Sequence, residues 1–157
     1  MTPLQVKMKA PPFKGKDQNG NTVALKDYLG YRVVIFFYPR DNTPGCTAQA
    51  CSMRDNYELL VKQGFRITGV STDSVKSHKK FEQKFSLPFP LIADEDRKIV
   101  EKYGVWGEKK FMGRTFDGTH RTTFLIDEKG KIRKIITKVN TKDHVQQVLD
   151  AWHEKEV

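Results

Sequence analysis

Residues 33–51 read VVIFFYPRDNTPGCTAQAC, and the way this stretch divides decides the fold. Its first six residues, Val33 to Tyr38, are all apolar or aromatic and rich in β-branched types. That is the pattern of a strand covered on both faces. The remainder, Pro39 to Cys51, opens with turn formers and then loses them, so a helix is expected from Pro44. Proline suits a first helical turn because its missing N–H would be unpaired there anyway. Thr43 precedes it and is expected to cap the free backbone donors through its hydroxyl. Cys46 then falls in the first turn, where free N–H groups and the helix dipole favour a negative charge.

A free cysteine titrates near ~8.5, so only a few per cent is thiolate at neutral pH. Lowering a thiol by two pKa units takes about 2.7 kcal/mol, whereas a helix terminus supplies roughly 0.3–1 kcal/mol. A cation must supply the rest, and arginine is the best suited because it stays charged and donates in a fixed fork. Arg40, Arg54 and Arg121 are the candidates, and sequence distance does not choose among them.

Both cysteines of the chain, Cys46 and Cys51, lie in this stretch. Five residues apart in a regular helix, their Cα atoms stand roughly 8.7 Å apart, beyond the ~7 Å that a disulfide tolerates. The pair can be helical or bonded, but not both. A redox pair that unwinds its helix on oxidation fits this conflict. Two reduced cysteines packed as small hydrophobic groups stay open as the alternative.

Pro39, Thr43 and Cys46 form the P-x-x-x-T-x-x-C pattern of peroxiredoxins, and TPGCTAQAC resembles the peroxiredoxin Q / bacterioferritin-comigratory-protein subfamily. The similarity continues through GVSTDS and RTTFLID and spans nearly the whole chain. The resemblance implies a thioredoxin-like α/β fold with an N-terminal hairpin and an inserted helix. It implies a thiol peroxidase in which Cys46 is the peroxidatic thiol and Cys51 resolves it. Thr43 and Arg121 would complete the site and Pro39 would shield it. Hydrogen peroxide or an organic hydroperoxide is the implied substrate and thioredoxin, or a similar dithiol, the implied reductant. No metal or organic cofactor is implied, and a monomer is favoured because both cysteines lie in one chain.

The 157 residues suit one domain, 1–157. With 38% hydrophobic residues and a mean hydropathy of -0.61, the chain reads as soluble with a charged surface. No stretch approaches the ~18 apolar residues of a membrane span. The first residues, MTPLQVKMKAPPF, lack an apolar signal core, so a cytoplasmic location is expected. The net charge of +9 raises nucleic-acid binding. The lysines, however, are interleaved with acids, as in KKFEQK and DEDRK, which points to a solvated basic surface.

Further along, Asn19-Gly20 marks a short hairpin and Asp27 a capped turn ending at Gly30. Met53, Tyr57, Leu60 and Val61 continue the helix as core contacts until Gly64. FRITGV, from Phe65, reads as a second core strand. In the helix after it, His78 reads as a surface residue among lysines with no carboxylate partner. DEDRKIVEKYG reads as a helix, and VWGEKKFMGRTFDGTH as a loop or irregular hairpin holding Trp106, Phe111 and Phe116 as possible pocket walls. RTTFLID and KIRKIIT flank a hairpin turn, and Thr141 is expected to cap a last helix with Val145, Val148, Leu149 and Trp152 on one face.

Two other chemistries fit the residues less well. A thiol–disulfide oxidoreductase ordinarily carries C-x-x-C, but here four residues intervene. A zinc site would need closely spaced ligands, and His78, His120, His144 and His153 are dispersed.

Overall fold

The computed structural model describes residues 2–154. Arg32–Phe37 form β3, an interior strand of a seven-stranded sheet ordered β2-β1-β5-β4-β3-β8-β9. The other strands of this sheet are β1 (Lys14–Lys16), β2 (Thr22–Ala24), β4 (Phe65–Ser71), β5 (Leu91–Ala93), β8 (Thr122–Ile126) and β9 (Ile132–Ile136). β3 runs parallel to β4 and antiparallel to β8. The N-terminal hairpin β1–β2 extends the sheet beyond β5.

The uninterrupted apolar run in β3 reflects burial on both faces. Val34, Phe36 and Tyr38 pack on one side with α1 (Pro44–Asp55), α3 (Val75–Phe85) and α5 (His144–His153), through residues such as Ala50, Met53, Phe81 and Trp152. Val33, Ile35 and Phe37 pack on the other with Phe13, Phe124 and the short helix α4 (Lys98–Lys102), through Val100. Period-two alternation thus feeds two cores from one strand.

The expected elements are present, with local corrections. The helix from Pro44 breaks at Asn56, whose φ of -120° departs from helical values, and resumes as α2 (Tyr57–Lys62). Asp143, rather than Thr141, stands at the N-cap of α5 and makes no side-chain capping bond. The helix read from DEDRKIVEKYG is only Lys98–Lys102, because Arg97 adopts a left-handed φ of 62° and Asp94 reaches past it to accept from Ile99 and Val100 N–H. The irregular stretch read after Gly104 is a regular hairpin, β6 (Trp106–Phe111) and β7 (Arg114–Thr119), set apart from the main sheet. Among the described residues no helix is long and apolar enough to cross a membrane.

Candidate active site

Strand registry assembles the site. Phe37 pairs with Thr122, so the end of β3 lies beside the start of the antiparallel β8. The chain leaving β3 enters α1, and the residue just before β8 is Arg121. Arg121 and Cys46 therefore meet although 75 positions separate them: Nη2 donates to Cys46 Sγ at 3.2 Å. Arg121 Nη1 donates to Gln49 Oε1 at 2.7 Å. Gln49 lies one turn beyond Cys46 and so shares its helix face. The two other arginines are elsewhere, Arg40 exposed and Arg54 bound to Asp55 and to the Phe85 carbonyl.

Cys46 is 2% exposed and lies in the first turn of α1, as its position after Pro44 predicts. Gly45 matters to its contact with arginine. A Cβ at residue 45 would stand 3.2 Å from Arg121 Nη2, so the missing side chain gives the guanidinium its place. A second cation is near. Burial, then the charge of Arg121, lowers Lys109 from the ordinary lysine value, while Cys46 acts in the opposite direction. Lys109 Nζ also donates to the Thr119 carbonyl.

Thr43 is the N-cap residue, but its hydroxyl makes no capping bond and instead donates to the Arg40 carbonyl at 2.9 Å. The left-handed Asn42, φ 59°, turns the loop back on itself and brings that carbonyl within reach. Pro39 is half-buried at the start of the loop. Cys51 is part-exposed within the same unbroken helix as Cys46, and both are free thiols.

His78 corrects the sequence reading. It is fully buried, and its Nδ1 lies 2.7 Å from Asp41 Oδ2. Its Nε2 lies 3.0 Å from the Ile92 carbonyl. Each ring nitrogen thus faces an oxygen partner, one on the loop after β3 and one in β5. Asp41 also accepts from Tyr38 at 2.7 Å and Ser77 at 2.8 Å, and its own N–H donates to Asp73. Burial, then the Asp41 charge, raises Tyr38 well above the usual tyrosine range, so it serves as a donor. The carboxylate partner escaped sequence reading because 37 residues separate it from His78.

Asp41, Asp73 and His78 bring their ligand atoms within 4.8 Å of one another, a separation that would suit a cation. The atoms facing one another are already engaged: Asp41 Oδ2 by His78 and Ser77, and Asp73 Oδ2 by Ser71 and the Asp41 N–H. The cluster is therefore a tie that fixes the Pro39–Thr43 loop against β4 and α3. Phe111 and Phe116, expected as possible pocket walls, are 67% and 46% exposed on the β6–β7 hairpin, and Trp106 lies under the Arg97 guanidinium.

The AhpC/TSA family matches residues 6–135. Peroxiredoxin Bcp of Escherichia coli K12 is 47% identical over 150 residues, covering 96% of each chain. Peroxiredoxin Bcp of Bacillus subtilis is 44% identical over 148 residues, covering 94% of each. The solved bacterioferritin comigratory protein of Xanthomonas campestris, described in connection with alkyl peroxide reduction, superposes with a TM-score of 0.84 at 32% identity and 97% coverage of each chain. A Xylella fastidiosa PrxQ structure gives 0.89 at 27% identity and 96% coverage of each. The thioredoxin-like arrangement of sheet and helices is that of these structures. Motif, fold and relatives agree, and the chain belongs to the AhpC/TSA family, among the Bcp/PrxQ peroxiredoxins.

Proposed function

We propose that this chain reduces hydrogen peroxide and organic hydroperoxides with Cys46 as the attacking thiol and Cys51 as the resolving one. The observation that carries the proposal is the 3.2 Å contact of Arg121 Nη2 with a sulfur in the first turn of a helix holding a second cysteine. The helix N-terminus and the guanidinium place positive potential and a hydrogen-bond donor at the sulfur that attacks. The thiolate attacks the terminal peroxide oxygen; an S–O bond forms as the O–O bond breaks, and the departing oxygen takes a proton to leave as water or alcohol. Arg121, steered by Gln49, supports the charge growing on that oxygen. Thr43 orients the peroxide, and Pro39 limits water at the loop.

The product is a sulfenic acid at Cys46. Cys51 attacks its sulfur and water departs, leaving an intramolecular disulfide. Helical spacing holds the Cα atoms roughly 8.7 Å apart against a limit of ~7 Å, so α1 unwinds locally first. The disulfide is then reduced by a dithiol protein of the thioredoxin kind. Resolution within one chain requires no second subunit, so the enzyme works as a monomer and as one domain, in a reducing cytoplasm.

Reduced protein is expected to consume peroxide stoichiometrically. Cys46→Ser abolishes consumption; if it consumes peroxide as fast as the parent, the assignment is wrong. Cys51→Ser keeps the first oxidation and loses most thioredoxin-supported turnover.

A further inference from the structure

The β6–β7 hairpin has one face that continues the active site. Its register sets Gly107 opposite Gly118, Lys109 opposite Phe116 and Phe111 opposite Arg114. Strand alternation places these six residues on one face. The two hairpin acids, Glu108 and Asp117, pair with each other on the opposite face. The first face therefore presents two cations, two aromatic rings and no acid. Its inner end joins the site, because Lys109 Nζ donates to the carbonyl of Thr119, the last residue of β7 and two before the Arg121 that contacts Cys46. Its outer end is open: Phe111 is 67% exposed, Phe116 46%, and Met112 at the turn 88%.

The face is long for a small peroxide. From Gly118 to Arg114 the strand covers roughly 14 Å, at ~3.4 Å per residue. An apolar and basic face of this kind, on a hairpin whose second strand leads to the arginine at the sulfur, fits a macromolecule that must reach that sulfur. Its chemistry selects an apolar patch rimmed by carboxylates, and the chain's net charge of +9 draws the same kind of partner.

We infer that this face docks the dithiol protein that reduces the oxidised enzyme. The inference rests on the disulfide cycle proposed above. The partner's thiolate attacks one sulfur of the Cys46–Cys51 disulfide, forming a mixed disulfide and releasing the other sulfur as a thiolate, which takes a proton. The partner's second thiol then displaces the enzyme's remaining sulfur. The partner loses two electrons and two protons to become a disulfide, and the enzyme regains both thiols.

The test compares thioredoxin, kept reduced by thioredoxin reductase and NADPH, with dithiothreitol as reductants of the whole chain and of its Phe111→Ser/Arg114→Glu variant. Loss of an aromatic anchor and reversal of a rim charge are expected to raise KM for thioredoxin about tenfold. Dithiothreitol-driven turnover stays within about twofold, and added salt raises the parent's KM for thioredoxin. An unchanged KM for thioredoxin in the variant overturns the inference. So does an equal loss with both reductants, which would place the face in the peroxide step or in the fold. Flotation of the parent with phosphatidylglycerol vesicles, lost in the variant while its thioredoxin KM is unchanged, would assign the face to lipid instead. A parent active with dithiothreitol but not with thioredoxin overturns the docking inference alone. A parent inert with both reductants overturns the peroxidase reading beneath it.

Discussion

Replacing His78 by leucine should destabilise the protein out of proportion to the size of the change. The ring is fully buried and faces Asp41 Oδ2 at 2.7 Å, so its removal leaves a buried carboxylate without its imidazole partner. Breaking a buried pair from one side costs about 3–5 kcal/mol. Asp41 keeps the Tyr38 and Ser77 hydroxyls, at 2.7 and 2.8 Å, which places the expectation near the lower end, about 3 kcal/mol. For a chain of this size that lowers the melting midpoint by roughly 6–12 °C. Removing both partners in Asp41→Leu/His78→Leu strands no charge, so the double variant should be more stable than the sum of the singles, by about 1–3 kcal/mol. Urea unfolding followed by tryptophan fluorescence measures all four states of the cycle, and stopped-flow oxidation at a temperature where His78→Leu is folded adds the functional readout. Because the tie holds the loop carrying Pro39 and Thr43, the first oxidation should slow in that variant. A single-variant cost below about 1 kcal/mol, or strict additivity, would refute the buried-pair reasoning.

Three further outcomes are expected. Gly45→Ala places a Cβ 3.2 Å from Arg121 Nη2, and the guanidinium must shift by a few tenths of an ångström; peroxide oxidation of Cys46 should slow about tenfold or more while the melting temperature moves little, as read by rapid-mixing kinetics and calorimetry. Arg121→Lys should lose most of the first-step rate despite keeping its charge, because one ammonium cannot serve Sγ and Gln49 Oε1 with the same fixed fork. His144 has its pKa lowered from 6.5 to about 4, chiefly by burial and also by the Arg121 charge, with the Gln147 contact opposing. Its unfolded form binds the proton first, so this stability is present above about pH 6.5 and is lost as pH falls toward 4, about 3 kcal/mol in all. His144→Gln should flatten that part of the stability–pH curve; an unchanged slope between pH 4 and 6.5 would count against the depressed titration.

The sequence by itself determined what depends on neighbours along the chain. The apolar run of β3, Pro44 at the start of α1, Cys46 in its first turn and the separation of Cys46 from Cys51 all follow from local periodicity and helical geometry. The tertiary structure decided whatever depends on meetings across the sheet. It gave Arg121, which only the family motif had singled out over Arg40 and Arg54, its contact with Cys46, because antiparallel pairing of β3 with β8 sets residue 121 beside the head of α1. It turned His78 from an apparent surface residue into half of a buried pair, and made Gln49 and Gly45 part of the arginine's seat. It also turned Thr43 away from its expected cap, toward a loop carbonyl. Local patterns record which face of an element is apolar; they do not record which distant polar group will lie against it, since that depends on strand order and register.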